Sequence, residues 1–228
     1  LIHFTILPTL IFLGGCSSFV ELIEEKVTRE CDSNVSSDDW HNCKGSAKFT
    51  NSSSYKGHWS NGKPNGEGTF TWSNGDEYKG EWSNGKRNGK GIMTESSGTV
   101  YKGEWSEDKT NGKGTLTYSS GDRFQGYFMN DKRNGLGTYK WSNGEIYKGQ
   151  YLNDKRHGLG VFTWPNGNEF RGEFANGKRN GKGIMTESSG RIYSGEWLND
   201  KPNGEGTWKM SNGTVYKGEF VNGEWVQD

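Results

Sequence analysis

Aliphatic side chains are scarce in this chain: the entire apolar class amounts to 29% of 228 residues, and aromatic rings alone supply 14%. Too little Leu, Ile and Val remains to fill a thick sandwich or a helical bundle. Net charge is missing as well, at a formal +0, so no overall field favours nucleic acid, and no RNA-binding motif overrides that balance. Histidine occurs only at His3, His41, His58 and His157, in unrelated contexts and never beside a Ser and an Asp in a nucleophilic pattern. Long hydrophobic runs are limited to Phe4–Leu13 (FTILPTLIFL), too short to span a bilayer as a mature helix.

Glycine and aromatic residues stand in their place. The chain has 36 Gly, ten Trp, ten Tyr and eleven Phe, an aromatic content at odds with disorder. Many rings among many glycines imply a thin, repetitive sheet. From Tyr55 the sequence repeats every 23 residues without insertion or deletion, with full copies starting at Tyr55, Tyr78, Tyr101, Phe124, Tyr147, Phe170 and Tyr193. Seven such copies mean an array of one supersecondary unit. The array is assigned to 42–228: a degenerate half repeat at 42–54, seven repeats at 55–215 and a closing half repeat at 216–228. NGKRNGKGIMTESSG occurs at both Asn84–Gly98 and Asn176–Gly190, four periods apart. That spacing marks a four-repeat duplication rather than a pair of active sites.

Each unit reads as a β-hairpin, because Tyr-x-Gly-x-Trp and Gly-x-Gly-x-Phe-x-Trp both alternate with period two. Keeping all rings on one face predicts Tyr55 beside Phe70, Gly57 beside Gly68 and Trp59 opposite Gly66. The last pair leaves a six-residue loop, Ser60–Asn65. Between repeats, a three-residue turn with only Gly75 left-handed puts Phe70 opposite Tyr78 and Gly68 opposite Gly80. A two-residue turn would instead force positive φ on Ser97, Ser120 and Ser189. The outcome is a row of rings, a row of glycines and a second row of rings in a layer one side chain thick. At about 4.8 Å per strand it spans roughly 70 Å or more, and the duplicated stretches lie roughly 40 Å apart.

The pattern YKGEWxNGKxNGxGxxTxxNG closely resembles the MORN repeat from Tyr55 to the C-terminus. The resemblance implies an all-β fold, an elongated, twisted single-layer antiparallel sheet of tandem hairpins. It also implies interaction roles, in scaffolding, membrane association or self-association, with catalysis confined to separate fused domains. None of the segments outside the repeats is long enough for such a domain, so the expectation is no enzyme, no cofactor and no metal.

Upstream, Leu13-Gly14-Gly15-Cys16 resembles the lipobox of bacterial lipoproteins, with Ser17 and Ser18 following. The resemblance implies a signal segment at 1–15, lipid on Cys16, and an outer-membrane protein facing the periplasm or the surface. Residues 16–41 then form a tether and cap, in which FVELIEEKVTRE groups Phe19, Leu22, Ile23 and Val27 on one side of a short helix. Cys31 and Cys43 remain as an even pair, suited to a disulfide in an oxidising compartment and too few for zinc.

Two constellations carry functional expectations. Lysine occupies the ninth position of every repeat, at Lys63, Lys86, Lys109, Lys132, Lys155, Lys178 and Lys201, with Arg87, Arg133, Arg156 and Arg179 following four of them. Spaced about 10 Å apart in the long loops, they form an edge for anionic headgroups, blunted by Glu81, Glu104, Glu173 and Glu196. The second is the ring face itself (Tyr78, Trp82, Tyr101, Trp105, Phe128, Tyr151, Phe174 and Trp197). It offers a surface to a protein partner or a second copy unless twist and self-packing hide it. Asp76 and Asp122 carry no repetitive calcium site, because among the companion positions Thr99, Glu145, Asn168 and Thr214 only Glu145 is acidic, and the Gly-x-Gly pairs lack the Lys-Ser/Thr of a phosphate loop.

Overall fold

The structure, a computed structural model, describes residues 29–226. Those residues form one sheet of 18 strands, paired in chain order and antiparallel except at the first, Arg29–Glu30, which runs parallel to Cys43–Lys48. Each repeat supplies a seven-residue strand such as Ser54–Ser60 and a nine-residue one such as Lys63–Thr71. Strand twist makes the array a long turning ribbon with rings on one side.

The connection between repeats follows the expected register. Phe70 faces Tyr78, Gly68 faces Gly80, and the Trp72 and Asp76 backbones close a turn whose only left-handed residue is Gly75, at φ +89°. The connection inside each repeat differs from the expectation. There is no six-residue loop; Trp59 pairs with Pro64 and Ser60 with Lys63 across a two-residue turn, Asn61-Gly62, both with positive φ. Asn and Gly tolerate that geometry, and its twist matches the strands. The surplus residues form a bulge: between the Gly57–Gly68 and Trp59–Pro64 pairs, His58 alone faces Asn65, Gly66 and Glu67.

The core is the ring side of the sheet. Tyr78 lies over the facing glycines, and a Cβ on Gly91 would sit 2.3 Å from its hydroxyl oxygen. Its hydroxyl donates to the Glu81 carbonyl at 3.0 Å. Trp82 and Trp105 meet the same ring edge-on, at centroid distances of 5.1 and 5.3 Å. Such pairs contribute about 0.5–1.5 kcal/mol each beyond their burial. The glycine rows are thus the floor on which the first aromatic of each repeat lies, and the Trp position clamps two of those rings.

At the amino-terminal end Trp40 packs edge-on against Trp59 at 5.1 Å and closes the ring row. The helix expected over 19–30 falls mostly outside the described residues, and its last two, Arg29–Glu30, are a strand. At the other end Tyr216 is 37% exposed, where its counterparts Tyr147 and Tyr193 are fully covered.

Candidate functional site

The ring face is closed. Tyr78, Trp82, Tyr101 and Trp105 are each at most 7% exposed, and Phe128, Tyr151, Phe174 and Trp197 at most 5%. Their cover comes from the same chain: in each full repeat the first-position ring is sandwiched between its own Trp-position ring and that of the next repeat. Of the two outcomes open for this face, a partner surface or self-packing, these rings take the second and form the hydrophobic core. Burial accordingly pushes the Tyr78, Tyr101 and Tyr151 phenols upward, and those of Tyr147 and Tyr193 to about 12.

The basic edge divides in two. The seven lysines lie beside the hairpin tips as the first residues of the long strands, all of them exposed, and Lys86 pairs with Glu107. The arginines turn the other way. Arg87 donates to Asp108 Oδ1 at 3.2 Å and to the Asp108 carbonyl at 2.8 Å, with its guanidinium 4.3 Å from the Trp105 centroid. Arg179 repeats this with Asp200 and Trp197, Arg133 bonds Asp154, and Arg156 donates to the Gly177 carbonyl. These four side chains lace consecutive hairpins together and cover rings, so the expected stripe reduces to lysine. Asp76 and Asp122 act likewise at the opposite edge, where Ser96 and Ser142 each donate a backbone N–H to them at 2.8 Å. Those bonds hold both carboxyls below their ordinary range. Asn168 accepts from Ser188 in the same way, which shows that the turn needs an acceptor and not a charge.

The open surface lies on the face away from the rings. A groove of about 910 Å³ runs from Lys44 across the strands to Tyr127, floored by the glycine backbones and walled by two rows of side chains. Lys44, Lys56, Lys79, Lys90, Lys102 and Lys113 line it, against Glu67 and Glu104. None of the six forms an ion pair among the described residues. The Glu104 carboxylate instead accepts the Lys113 backbone N–H at 3.3 Å, as Glu81 accepts that of Lys90 at 2.8 Å. Beyond Tyr127 the same row continues into Leu136 and Leu159, 62% and 66% exposed, where other repeats carry Glu67, Lys90, Lys113, Lys182 and Glu205. The alternation Tyr-Lys-Gly-x-Trp already places these lysines opposite the rings; the signal was present, in the positions between the aromatics.

Cys31 and Cys43 stand with sulfurs in contact and Cα atoms 5.0 Å apart, the spacing of a bridged pair. Cys16 and the leader lie outside the described residues. Of the histidines, His58 lines the groove and His41 Nδ1 accepts the Asn61 N–H at 3.2 Å. Among the described residues no group of three or more His, Cys, Asp or Glu is placed to hold a metal ion, and no helix is long and apolar enough to cross a membrane.

Comparison with known proteins places the period. The family model described as MORN repeat matches seven times, over residues 55–77, 78–100, 101–123, 124–146, 147–169, 170–190 and 193–215. No curated protein matches the sequence. Among solved structures, the chain is similar to the SAS-4 (dCPAP) TCP domain of Drosophila melanogaster in complex with a proline-rich motif of Ana2 (dSTIL). That match has 13% identity and a TM-score of 0.42, over 68% of this chain and 85% of that one. It is also similar to the wild-type TCP10 domain of Danio rerio CPAP, at 10% identity and a TM-score of 0.44, over 75% and 81%.

Proposed function

Because the chain belongs to the MORN-repeat family, whose arrays serve protein or membrane interaction, we propose that it is a non-catalytic scaffold binding a protein partner along the glycine-floored groove. The observation that carries this reading is the contrast between faces: the rings are consumed by the core, while the groove stays open. Photocrosslinking tests it. A benzoylphenylalanine at Thr115, which lines the groove, is expected to give discrete adducts in cells, and one at Asn84 on a hairpin tip none. Equal adducts at both positions, or none at either, overturn the groove as the binding site.

A second reading rests on the tip lysines, one exposed per repeat along a single edge. Each near contact with an anionic headgroup contributes about 1 kcal/mol. If the edge is the membrane site, binding to phosphatidylglycerol vesicles disappears in Lys109→Glu/Lys178→Glu; unchanged binding ends that reading. The envelope placement rests on Leu13–Cys16 alone: lipid on Cys16 anchors the array at the outer membrane, facing the periplasm or the surface, with Cys31 and Cys43 disulfide-bonded. Acyl labelling that persists after Cys16→Ala excludes the anchor.

A further inference from the structure

We infer that the groove takes an extended, acidic segment of a partner polypeptide, whose apolar end seats on Tyr127, Leu136 and Leu159. This deepens the proposed function and rests on its reading of the groove as the binding site.

Charge sets the first constraint. A chain of net charge +0 lines one channel with six lysines, none in an ion pair among the described residues, against only the two carboxylates of Glu67 and Glu104. Glu104, like neighbouring Glu81, is engaged by a backbone N–H. Shape sets the second. Successive positions on one wall, Lys56, Lys79 and Lys102, stand on alternate strands, and so about 9.6 Å apart. Lys90 and Lys113 repeat the same step on the opposite wall. Three residues of polyproline-II backbone advance about 9.3 Å. A chain in that conformation, with an acid at every third residue, meets a lysine at each step. The walls are separated by a single glycine, so about 7 Å along the strand, a width that admits one chain and not a duplex. Single-stranded nucleic acid would need a run of stacking platforms, yet the lining holds only the His58 imidazole and the Tyr127 ring, on the separate strands Ser54–Ser60 and Arg123–Met129, and the core rings lie on the opposite face.

The third constraint is the apolar end. Leu136 and Leu159 occupy a repeat position that is charged in the other copies (Glu67, Lys90, Lys113, Lys182 and Glu205), and they are the most exposed large hydrophobic residues among those described. With Tyr127 they form an anchor next to the basic channel, the arrangement in which charge steers and orients while apolar contact holds.

The test uses the full chain and fluorescein-labelled dodecapeptides read by anisotropy. One peptide carries Glu at every third residue and two leucines at one end, a second has the same composition with its acids in one block, and a third has Lys for Glu. The first is expected to bind best, more weakly as salt rises, and the third not at all. Lys79→Glu/Lys102→Glu should weaken it at least about tenfold and Leu136→Lys/Leu159→Lys about fivefold, while Lys209→Glu, outside the groove, leaves it unchanged. Both leucine replacements introduce a residue natural at that position in other repeats, and circular dichroism checks the fold of each variant. Equal binding of the first and third peptides, insensitivity to Lys79→Glu/Lys102→Glu in a folded protein, or tighter binding of a heparin hexasaccharide overturns the inference. Groove crosslinks in cells without acidic-peptide binding overturn this inference alone; loss of both overturns the groove reading with it.

Discussion

Tyr78 and Gly91 show how one contact is written into the repeat. The ring has nowhere else to lie: its hydroxyl is bonded to the Glu81 carbonyl and two other rings close on its faces and edges. A Cβ on Gly91 would stand 2.4 Å from the ring carbon bearing that hydroxyl, so neither partner can give way cheaply. Gly91→Ala is therefore expected to cost about 3 kcal/mol in urea denaturation, at the upper end of overpacking effects. Lys90→Ala, next in the chain but on the open face, should stay within about 0.5 kcal/mol. Burial of the same row predicts a pH effect. Tyr147 and Tyr193 move from the ordinary 10.0 to about 12, so the folded state holds these protons more tightly than the unfolded one. Their contribution to stability is complete below pH 10 and disappears as the pH rises towards 12. Tyrosinate absorbance and far-ultraviolet circular dichroism should then change together on alkaline titration. Tyrosinate from this row in a still-folded chain would contradict the burial.

At the scale of the hairpin, the inter-repeat turn was legible because wrong parity sends rings to opposite faces and strains serines. The tip was not, for a definite reason. The bulge sets three residues, Asn65, Gly66 and Glu67, against His58. An excess of two leaves the period-two pattern in phase, so alternation alone cannot register it. Asn61-Gly62 was the available signal, a dipeptide suited to a two-residue turn. With the tip placed in a six-residue loop, the arginines read as loop residues, and their bonds to the next hairpin tip, to Asp108, Asp154, the Gly177 carbonyl and Asp200, have no place in the pattern. The other turn makes its own prediction. Asp76 and Asp122 have carboxyls held below 3.8, chiefly by the Ser96 and Ser142 N–H groups, so their stabilisation is present above that pH and is lost as the pH falls below it. Asp76→Asn/Asp122→Asn keeps an acceptor, as Asn168 does. Acid unfolding of this variant, followed by circular dichroism, should be less steep than that of the parent, with stability at neutral pH little changed. An identical acid profile would show that these bonds do not couple to folding.

Across the whole molecule, the array is nearly one-dimensional: each repeat packs on its neighbours, so a disturbance should travel only a short way along it. The amino-terminal end is where this can be measured. Cys31 and Cys43, separated by 12 residues and with sulfurs in contact, stand where a disulfide would tie the parallel strand and the Trp40 turn over the first ring row, and Cys31 and Trp40 both crowd Gly45. Closing a loop of that size stabilises by about 3 kcal/mol in the chain-entropy account. In a compact domain such a loss would be shared by the whole core. Here Trp40 touches Trp59, Trp59 touches Tyr55, and Tyr55 touches Trp82, so the connection to distant repeats passes only from each repeat to the next. Cys31→Ser/Cys43→Ser is therefore expected to raise hydrogen exchange steeply in strands Cys43–Lys48 and Ser54–Ser60, and to leave Ile146–Leu152 and Ile192–Leu198 at parent levels. Uniform acceleration across all four strands would mean that the ribbon folds as one cooperative body. The groove would then be stiff over its full length, and the spacing of its lysines would be fixed by the whole array instead of by each pair of neighbouring hairpins.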